Sequence, residues 1–340
     1  MTGLVYWADT AIKTAVVLAV IPLGALLYVY VFLFKAVSHM QSRLGPMEAG
    51  PHGTLQVVAE AGKFLQKEDI IPDQADRHIF ALAPFVVLAS TFLLYVVVPA
   101  GPRLIVQDLD VGIFFALAVS SLSVVGVLMA GWASANKYSL LGALRAAGQL
   151  IAYELPLVLA VVGVVIQAGS MSLQRIVLAQ SNFSLSFFGL FHVKHDPFVI
   201  PQVAGFFLFM AAAQAELTQT PFDMPVAESE LVTGFMTEYT GFRFLFFFMA
   251  EFSTAFALAA IAATLFLGGW YFPGVHGTLA DVIGPVVLGA KVMVLGFVIF
   301  WVRFTFPRLR EDQLQAFAWK VLIPLSLANI LVTGVLKVVA

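Results

Sequence analysis

Long apolar runs alternate with short polar segments from one end of this chain to the other. Runs near 20 residues, about the length a helix needs to cross a bilayer, fall at 12–34, 79–98, 111–133, 149–168, 199–217, 242–268, 284–306 and 317–339. The pattern predicts an all-α polytopic membrane protein with eight spans, one membrane domain over 1–340, and both termini on one side. The fifth run is the shortest and leads straight into a polar segment. The sixth is the longest, which predicts a tilt or a start outside the lipid. No internal or inverted repeat is visible, unlike many secondary transporters. The first run is too long for a cleavable signal and lacks a small-residue cleavage pattern after it.

Between the spans, the basic residues are unevenly shared. The segments 35–78, 134–148, 218–243 and 303–320 hold Lys35, Arg43, Lys63, Lys67, Arg77, Lys137, Arg145, Arg243, Arg303, Arg308, Arg310 and Lys320. The opposite side holds Lys13, Arg103, Arg175, Lys194 and Lys337, and Lys291 sits within a span. The positive-inside rule then places the first set in the cytoplasm and both termini outside. In the long segment 35–78, residues 54–66 put Leu55, Val58, Gly62 and Leu65 on one helical face and Gln56, Glu60 and Lys63 on the other. This predicts a short amphipathic helix lying in the interface, as a portal frame or as a simple anchor. The glycines and prolines at Gly45-Pro46, Gly50-Pro51 and Gly53 before it predict a fixed set of turns.

One polar segment breaks the pattern. Between Glu216 and Glu238 lie Glu216, Asp223, Glu228, Glu230 and Glu238, and no Lys or Arg occurs between Lys194 and Arg243. Its flanks are apolar enough for a membrane, and Glu251 follows an apolar run with no turn signal. A carboxylate there must find a base, meet water or take a proton. Arg303, Arg308 and Arg310 are the best candidate bases, and Arg303, set deeper among aromatic residues, asks for a carboxylate partner or a polar cavity. Glu154, beside Pro156 in the fourth span, is a further intramembrane acid: a functional group, or half of a structural pair. With few local cations, Glu216, Glu228 and Glu230 are expected to hold their protons more tightly than ordinary carboxyls.

Composition narrows the chemistry. The 340 residues are 61% hydrophobic and 11% charged with a net charge of −2, at a mean hydropathy of +0.95, so no basic footprint for nucleic acid exists. There is no cysteine, which excludes disulfides and thiolate-held zinc or iron–sulfur clusters in this chain; no metal or haem is expected either. His192 and His195 have metal-like spacing without a third ligand and read as solvated loop residues.

Four separated blocks of residues resemble a known family. They are Gln41-Ser-Arg43-Leu-Gly45-Pro46 with Gly50-Pro51 and Lys67-Glu68; Trp132 to Lys137-Tyr138 with Arg145 and Tyr153-Glu154; Ala215-Glu216 with Pro221-Phe222-Asp223, Glu228-Ser-Glu230 and Glu238-Tyr239; and Trp301-Val-Arg303 with Pro307-Arg-Leu-Arg310, Asp312-Gln313-Leu314 and Trp319-Lys320. In this order they resemble the H-type membrane subunit of proton-pumping NADH–quinone oxidoreductase, respiratory complex I. The resemblance implies an eight-helix component of the bacterial plasma (inner) membrane that joins the membrane arm to the peripheral arm. It implies quinone as the substrate bound in an entry tunnel. The implied partners are iron–sulfur and quinone-site subunits of the peripheral arm, small membrane subunits and antiporter-like subunits. It assigns Glu154, Glu216, Asp223, Glu228, Glu230 and Glu251 to a proton path, and Arg43, Glu60, Phe235 and Arg303 to the quinone tunnel.

Some positions depart from the family. Its usual Glu-Arg at the end of the first helix is Leu33-Phe34 here, its Asn-Arg before Pro-Phe-Asp is Thr218-Gln219, and an acid expected after Pro225 is Val226. Two other functions fit the pattern less well: the homologous membrane subunit of an energy-converting hydrogenase, which needs no quinone, and a stand-alone proton-coupled transporter.

Overall fold

The computed structural model describes residues 3–182, 184–187, 191–194, 197–275 and 277–339. Helices dominate. α1 (Gly3–Tyr28) runs on through wider π-type turns at Val29–Ala36 into α2 (Val37–Met40). α3 (Gln56–Gln66) is the amphipathic segment. α4 (Arg77–Leu94), α5 (Gly112–Ala133) and α6 (Lys137–Ala168) follow. Then come α7 (Leu173–Asn182) and a short antiparallel hairpin, β1 (Ser184–Phe187) with β2 (Phe191–Lys194). α8 (Val203–Glu216), the single turn α9 (Glu228–Leu231), α10 (Gly241–Phe266) and α11 (Thr278–Thr305) lead to α12 (Glu311–Phe317), which continues through Ala318–Leu322 into α13 (Ile323–Val339). Among the described residues, six helical stretches are long and apolar enough to cross a membrane. Val29–Met40 and Val203–Glu216 are shorter apolar helices.

The helix boundaries show what the hydrophobic runs missed. α6 begins at Lys137, not near 149, because Asn136 accepts a bond from the amide of Tyr138 (2.8 Å) and starts the helix well ahead of its apolar run. It ends where Gly169 turns left-handed at φ 69°. Much of the loop expected over 134–148 is therefore helix, and Arg145 rides on it. The fifth run yields only the 14 residues of α8, a rise of about 21 Å against a hydrocarbon core of about 30 Å. Its last residue is Glu216. The segment 169–198 holds α7 and the hairpin, which no sequence signal announced. His195 lies outside the described residues, as does the side chain of His192.

Without a hydrophobic drive between helices in lipid, packing rests on small residues that let backbones approach. α10 is the hub. Ala255, Ala257, Ala259, Ala260, Ala262 and Ala263 are all buried along it. The main core gathers residues of α1, α4, α5, α6, α8, α10 and α11. A second core joins Phe80, Ala83 and Val87 of α4 and Val127 and Ala130 of α5 to Phe235, Met236 and Tyr239 of the acidic segment. Tyr239 stacks on Phe80 at 4.0 Å, and its hydroxyl donates to the Phe80 carbonyl (3.2 Å). That burial raises the Tyr239 hydroxyl pKa above its ordinary value.

The segment is tied elsewhere as well. Thr240 Oγ1 donates to the Glu68 carbonyl and accepts from the Ile70 amide (3.1 and 3.0 Å), and Arg243 pairs with Asp69 at 3.2 Å. Asn136 Nδ2 donates to Glu238 at 2.5 Å. Where the segment crosses α6, Gly142 meets Gly234: a Cβ on Gly142 would lie 2.8 Å from the Gly234 Cα and the Phe235 amide. Gly234 itself has φ 58°, and a Cβ there would strike the Pro225 carbonyl. A floppy acidic linker is excluded. These contacts aim Phe235 inward.

Candidate functional site: an acid-lined cavity

The chain reversal after α8 positions the first acid. Gln149 on α6 is buried, and its amide donates to the carbonyls of Ala215 (2.7 Å) and Phe222 (2.6 Å), clamping both ends of the turn. The Leu309 amide donates to the Pro221 carbonyl (2.9 Å), and the Tyr153 ring packs on Phe222. Glu216 is left 8% exposed. Its Oε2 has no hydrogen-bond partner among the described residues. Glu154, farther along α6, is half-buried beside Ser121 and close enough to Glu216 for the two charges to repel.

Glu216 and Glu251 line one cavity of about 80 Å³, together with Thr91, Thr254, Phe235 and Phe247 among others. A volume of that size is well above the minimum of roughly 10–15 Å³ that one water needs. Phe235 meets Phe247 edge-on at 5.4 Å and forms part of the wall.

Glu251 has the surroundings that Glu216 lacks. Arg303 Nη1 lies 3.2 Å from its Oε1, and Gln219 Nε2 donates to the same oxygen at 3.1 Å. The Arg303 guanidinium rests against the rings of Phe252, Phe300 and Phe304 at 5.8–6.0 Å, so aromatic faces and one carboxylate hold it in place. The partner that Arg303 required is therefore present.

The remaining acids lie at the loop end. Glu230 takes Arg145 at 2.6 Å and Arg308 at 3.2 Å, and Arg145 also reaches Glu311 at 3.7 Å. The hydrogen bond from Arg145 is the main reason the Glu230 carboxyl lies below its ordinary pKa, with Arg308 adding to it. The expectation of a tightly held proton fails at Glu230 because cations arrive from two remote segments, Arg145 on α6 and Arg308 in the stretch between α11 and α12. Asp223 behaves in the opposite way: burial pushes its carboxyl up, against the pull of the Ala227 amide and of Arg308 and Arg303. Among the candidate bases, Arg303 and Arg308 meet acids of the 216–251 stretch, whereas Arg310 pairs with Asp312 of its own segment (3.4 Å). Arg145 was overlooked as a base. Its place in the basic segment next to a helix start was the available signal. The side chain of Glu228 lies outside the described residues.

The four tunnel candidates do not form one cluster. Phe235 joins the acid cavity, and Arg303 joins Glu251. Arg43 is exposed and donates to Gln41 Oε1 (2.8 Å), and Glu60 accepts from Gln56 one turn away (3.0 Å). The helix that carries Glu60, α3, stacks Phe64 on Phe244 of α10 at 5.6 Å. It leaves Leu55 (just before its first turn), Val58 and Leu65 exposed. Lys35 in the π-type turns donates to the Pro46 carbonyl (2.7 Å), which fixes the Gly45-Pro46 turn next to it.

The profile of the NADH dehydrogenase family matches residues 12–334. A protein of Brevibacillus brevis, named as the H subunit of NADH-quinone oxidoreductase, is 46% identical over 331 residues, covering 97% of this chain and 94% of that protein. A Dehalococcoides mccartyi protein of the same name is 42% identical over 329 residues, 97% of this chain and 87% of its own. One from Geobacillus kaustophilus, again of that name, is 46% identical over 325 residues, 93% of each. A match over almost the full length, in a helical chain whose acids and arginines meet in the way described, shows that the chain belongs to the NADH dehydrogenase family of quinone oxidoreductase membrane subunits.

Proposed function

We propose that this chain is the membrane subunit of a proton-translocating NADH:quinone oxidoreductase, without a complete reaction of its own, and that it couples quinone chemistry to proton movement through its buried carboxyls. The observation that carries this reading is Glu216: a buried carboxyl without a base, on the wall of a cavity whose other carboxyl, Glu251, has one. A carboxyl that can exist neutral or charged at modest cost is what a relay needs. Glu154 and Glu216 supply carboxyls that change state at modest cost, Glu251 beside Arg303 supplies the charged acceptor at the far end of the cavity, and Asp223, Glu228 and Glu230 lead to the loop end.

The quinone enters beside α3, between it, α10 and the π-type turns of the first helix, with Arg43, Glu60, Phe235 and Arg303 along its way. The loop end faces the cytoplasm of a bacterial plasma membrane, both termini face outward, and peripheral-arm iron–sulfur and quinone-site subunits cover the acidic loop. Antiporter-like and small membrane subunits extend the polar path. Glu154→Gln tests the coupling role: in the reconstituted complex, quinone reduction persists while proton translocation per quinone falls. Wild-type values for both would return Glu154 to a purely structural role. Free proteolysis of both 41–53 and 218–238 in the intact complex would remove the proposed partner contacts.

A further inference from the structure

The cavity between Glu216 and Glu251 has a chemical bias that the carboxyls alone do not explain. Its wall carries hydroxyls from three helices: Ser90 and Thr91 of α4, Ser120 and Ser123 of α5, and Thr254 of α10. Ser90 and Thr91 both give their protons to the Val87 carbonyl (2.7 and 3.1 Å), and Ser120 gives its proton to Leu117 (2.8 Å). A hydroxyl that donates to its own helix turns its lone pairs outward. Glu216 Oε2 adds another acceptor without a donor. This wall is thus rich in acceptors and poor in donors. Buried acceptors need donors, and a space of about 80 Å³ with carboxyls and hydroxyls on its wall admits water, which brings two donors per molecule.

One pair of hydroxyls stands out by placement. Thr91 Oγ1 and Thr254 Oγ1 lie 2.9 Å apart and bridge α4 to α10 within the cavity wall. Thr91 already donates to Val87, so Thr254 donates to Thr91 and keeps its lone pairs for the cavity. Thr254 sits one turn after Glu251 on α10.

We propose that the Thr91–Thr254 hydroxyl pair positions a short chain of waters between Glu216 and Glu251, and that these threonines are positioning residues of the proton path. The inference rests on the relay reading above and identifies side chains that hold its water. In each transfer one O–H bond breaks and one forms at every oxygen along the chain. The proton lost by one carboxyl arrives on the other, and the waters end as they began. The hydroxyls fix where the waters sit and take no net proton.

The test uses the whole reconstituted complex with Thr91→Val, Thr254→Val and the double variant, since valine keeps the shape and removes the hydroxyl. Protons translocated per quinone reduced should fall on the order of tenfold in the double variant, and the pH profile of coupled turnover should shift. Thr91→Ser should restore both, which a packing role for the methyl group would not predict. A double variant with wild-type stoichiometry and pH profile would overturn the proposal. Glu216→Gln runs in parallel. If it is impaired while the double valine variant is normal, only the threonine assignment fails; if it too is normal, the relay reading itself fails. Should the double variant not assemble, Thr254→Val alone decides by the same two readouts, because Thr254 is only partly buried and Thr91 keeps its bond to Val87.

Discussion

Glu216 and Glu251 line the same cavity, yet their surroundings are opposite. Glu251 has a guanidinium, itself held among three aromatic rings, and an amide donor. Glu216 has an unpartnered oxygen and a neighbouring acid. The contrast separates two jobs. A carboxylate beside a fixed cation rests charged and shapes the field that draws a proton toward it. A carboxyl without one changes state at modest cost and suits transfer. The contrast continues at the loop end, where Glu230 holds two arginines and Asp223 is governed by burial.

Removing the base from the paired wall should have the largest effect. Arg303→Leu leaves Glu251 partly buried with only Gln219 as a donor. Breaking a fully buried pair costs about 3–5 kcal/mol. Both side chains here are 27% exposed, so screening cuts the expected loss to about 1–3 kcal/mol. Thermal unfolding of the purified complex reads this loss. The double variant Arg303→Leu/Glu251→Leu should recover most of it, and a double variant no better than the single would show that the pair is not what holds this wall.

The crossing that seats Phe235 comes next. Gly142→Ala drives a Cβ to 2.8 Å from the Gly234 and Phe235 backbone and should cost about 1–3 kcal/mol by overpacking. It should also disturb coupled turnover. Gly289→Ala meets nothing within 4 Å in α11, so it should be neutral or slightly stabilising. Equal melting temperatures for the two variants would contradict the crossing.

At the loop end the effects are smaller, and their signs oppose. Glu230 has a depressed folded pKa, so its ion pairs stabilise the protein above the ordinary value of 4.5 and the gain is lost as pH falls through the folded value. Glu230 is half-exposed, so the gain is within about 1 kcal/mol. Glu230→Gln should therefore be less stable than the parent at neutral pH and equal to it in acid. Asp223 has a raised folded pKa: the folded state holds its proton longer, so its contribution falls as pH rises from the ordinary 3.8 toward the folded value. Asp223→Asn should remove that fall. Parallel stability–pH curves for both variants would show that the two acids do not differ.

Much of the fold was visible in the pattern of apolar runs. The amphipathic helix at 56–66 and the long spans follow it because lipid demands length and backbone satisfaction. The pattern misplaced the start of α6, since a polar first turn capped by Asn136 carries no apolar signal, and it overstated α8, whose run is partly a turn. The acids were visible as a run without local cations. Their sorting was not, because Arg145, Arg303 and Arg308 arrive from segments far away in the chain. The cavity hydroxyls had no signature: serine and threonine are common in packed membrane helices, and only the fold turns these toward one space.

The central claim is that the unpaired acid, Glu216, carries the moving proton. The most direct measurement follows proton uptake and quinone reduction together in reconstituted complex bearing Glu216→Gln, which keeps the shape and removes titration. The account predicts that quinone is still reduced when the membrane is made leaky, while protons translocated per quinone collapse. A Glu216→Gln complex that translocates protons at the wild-type ratio would contradict it.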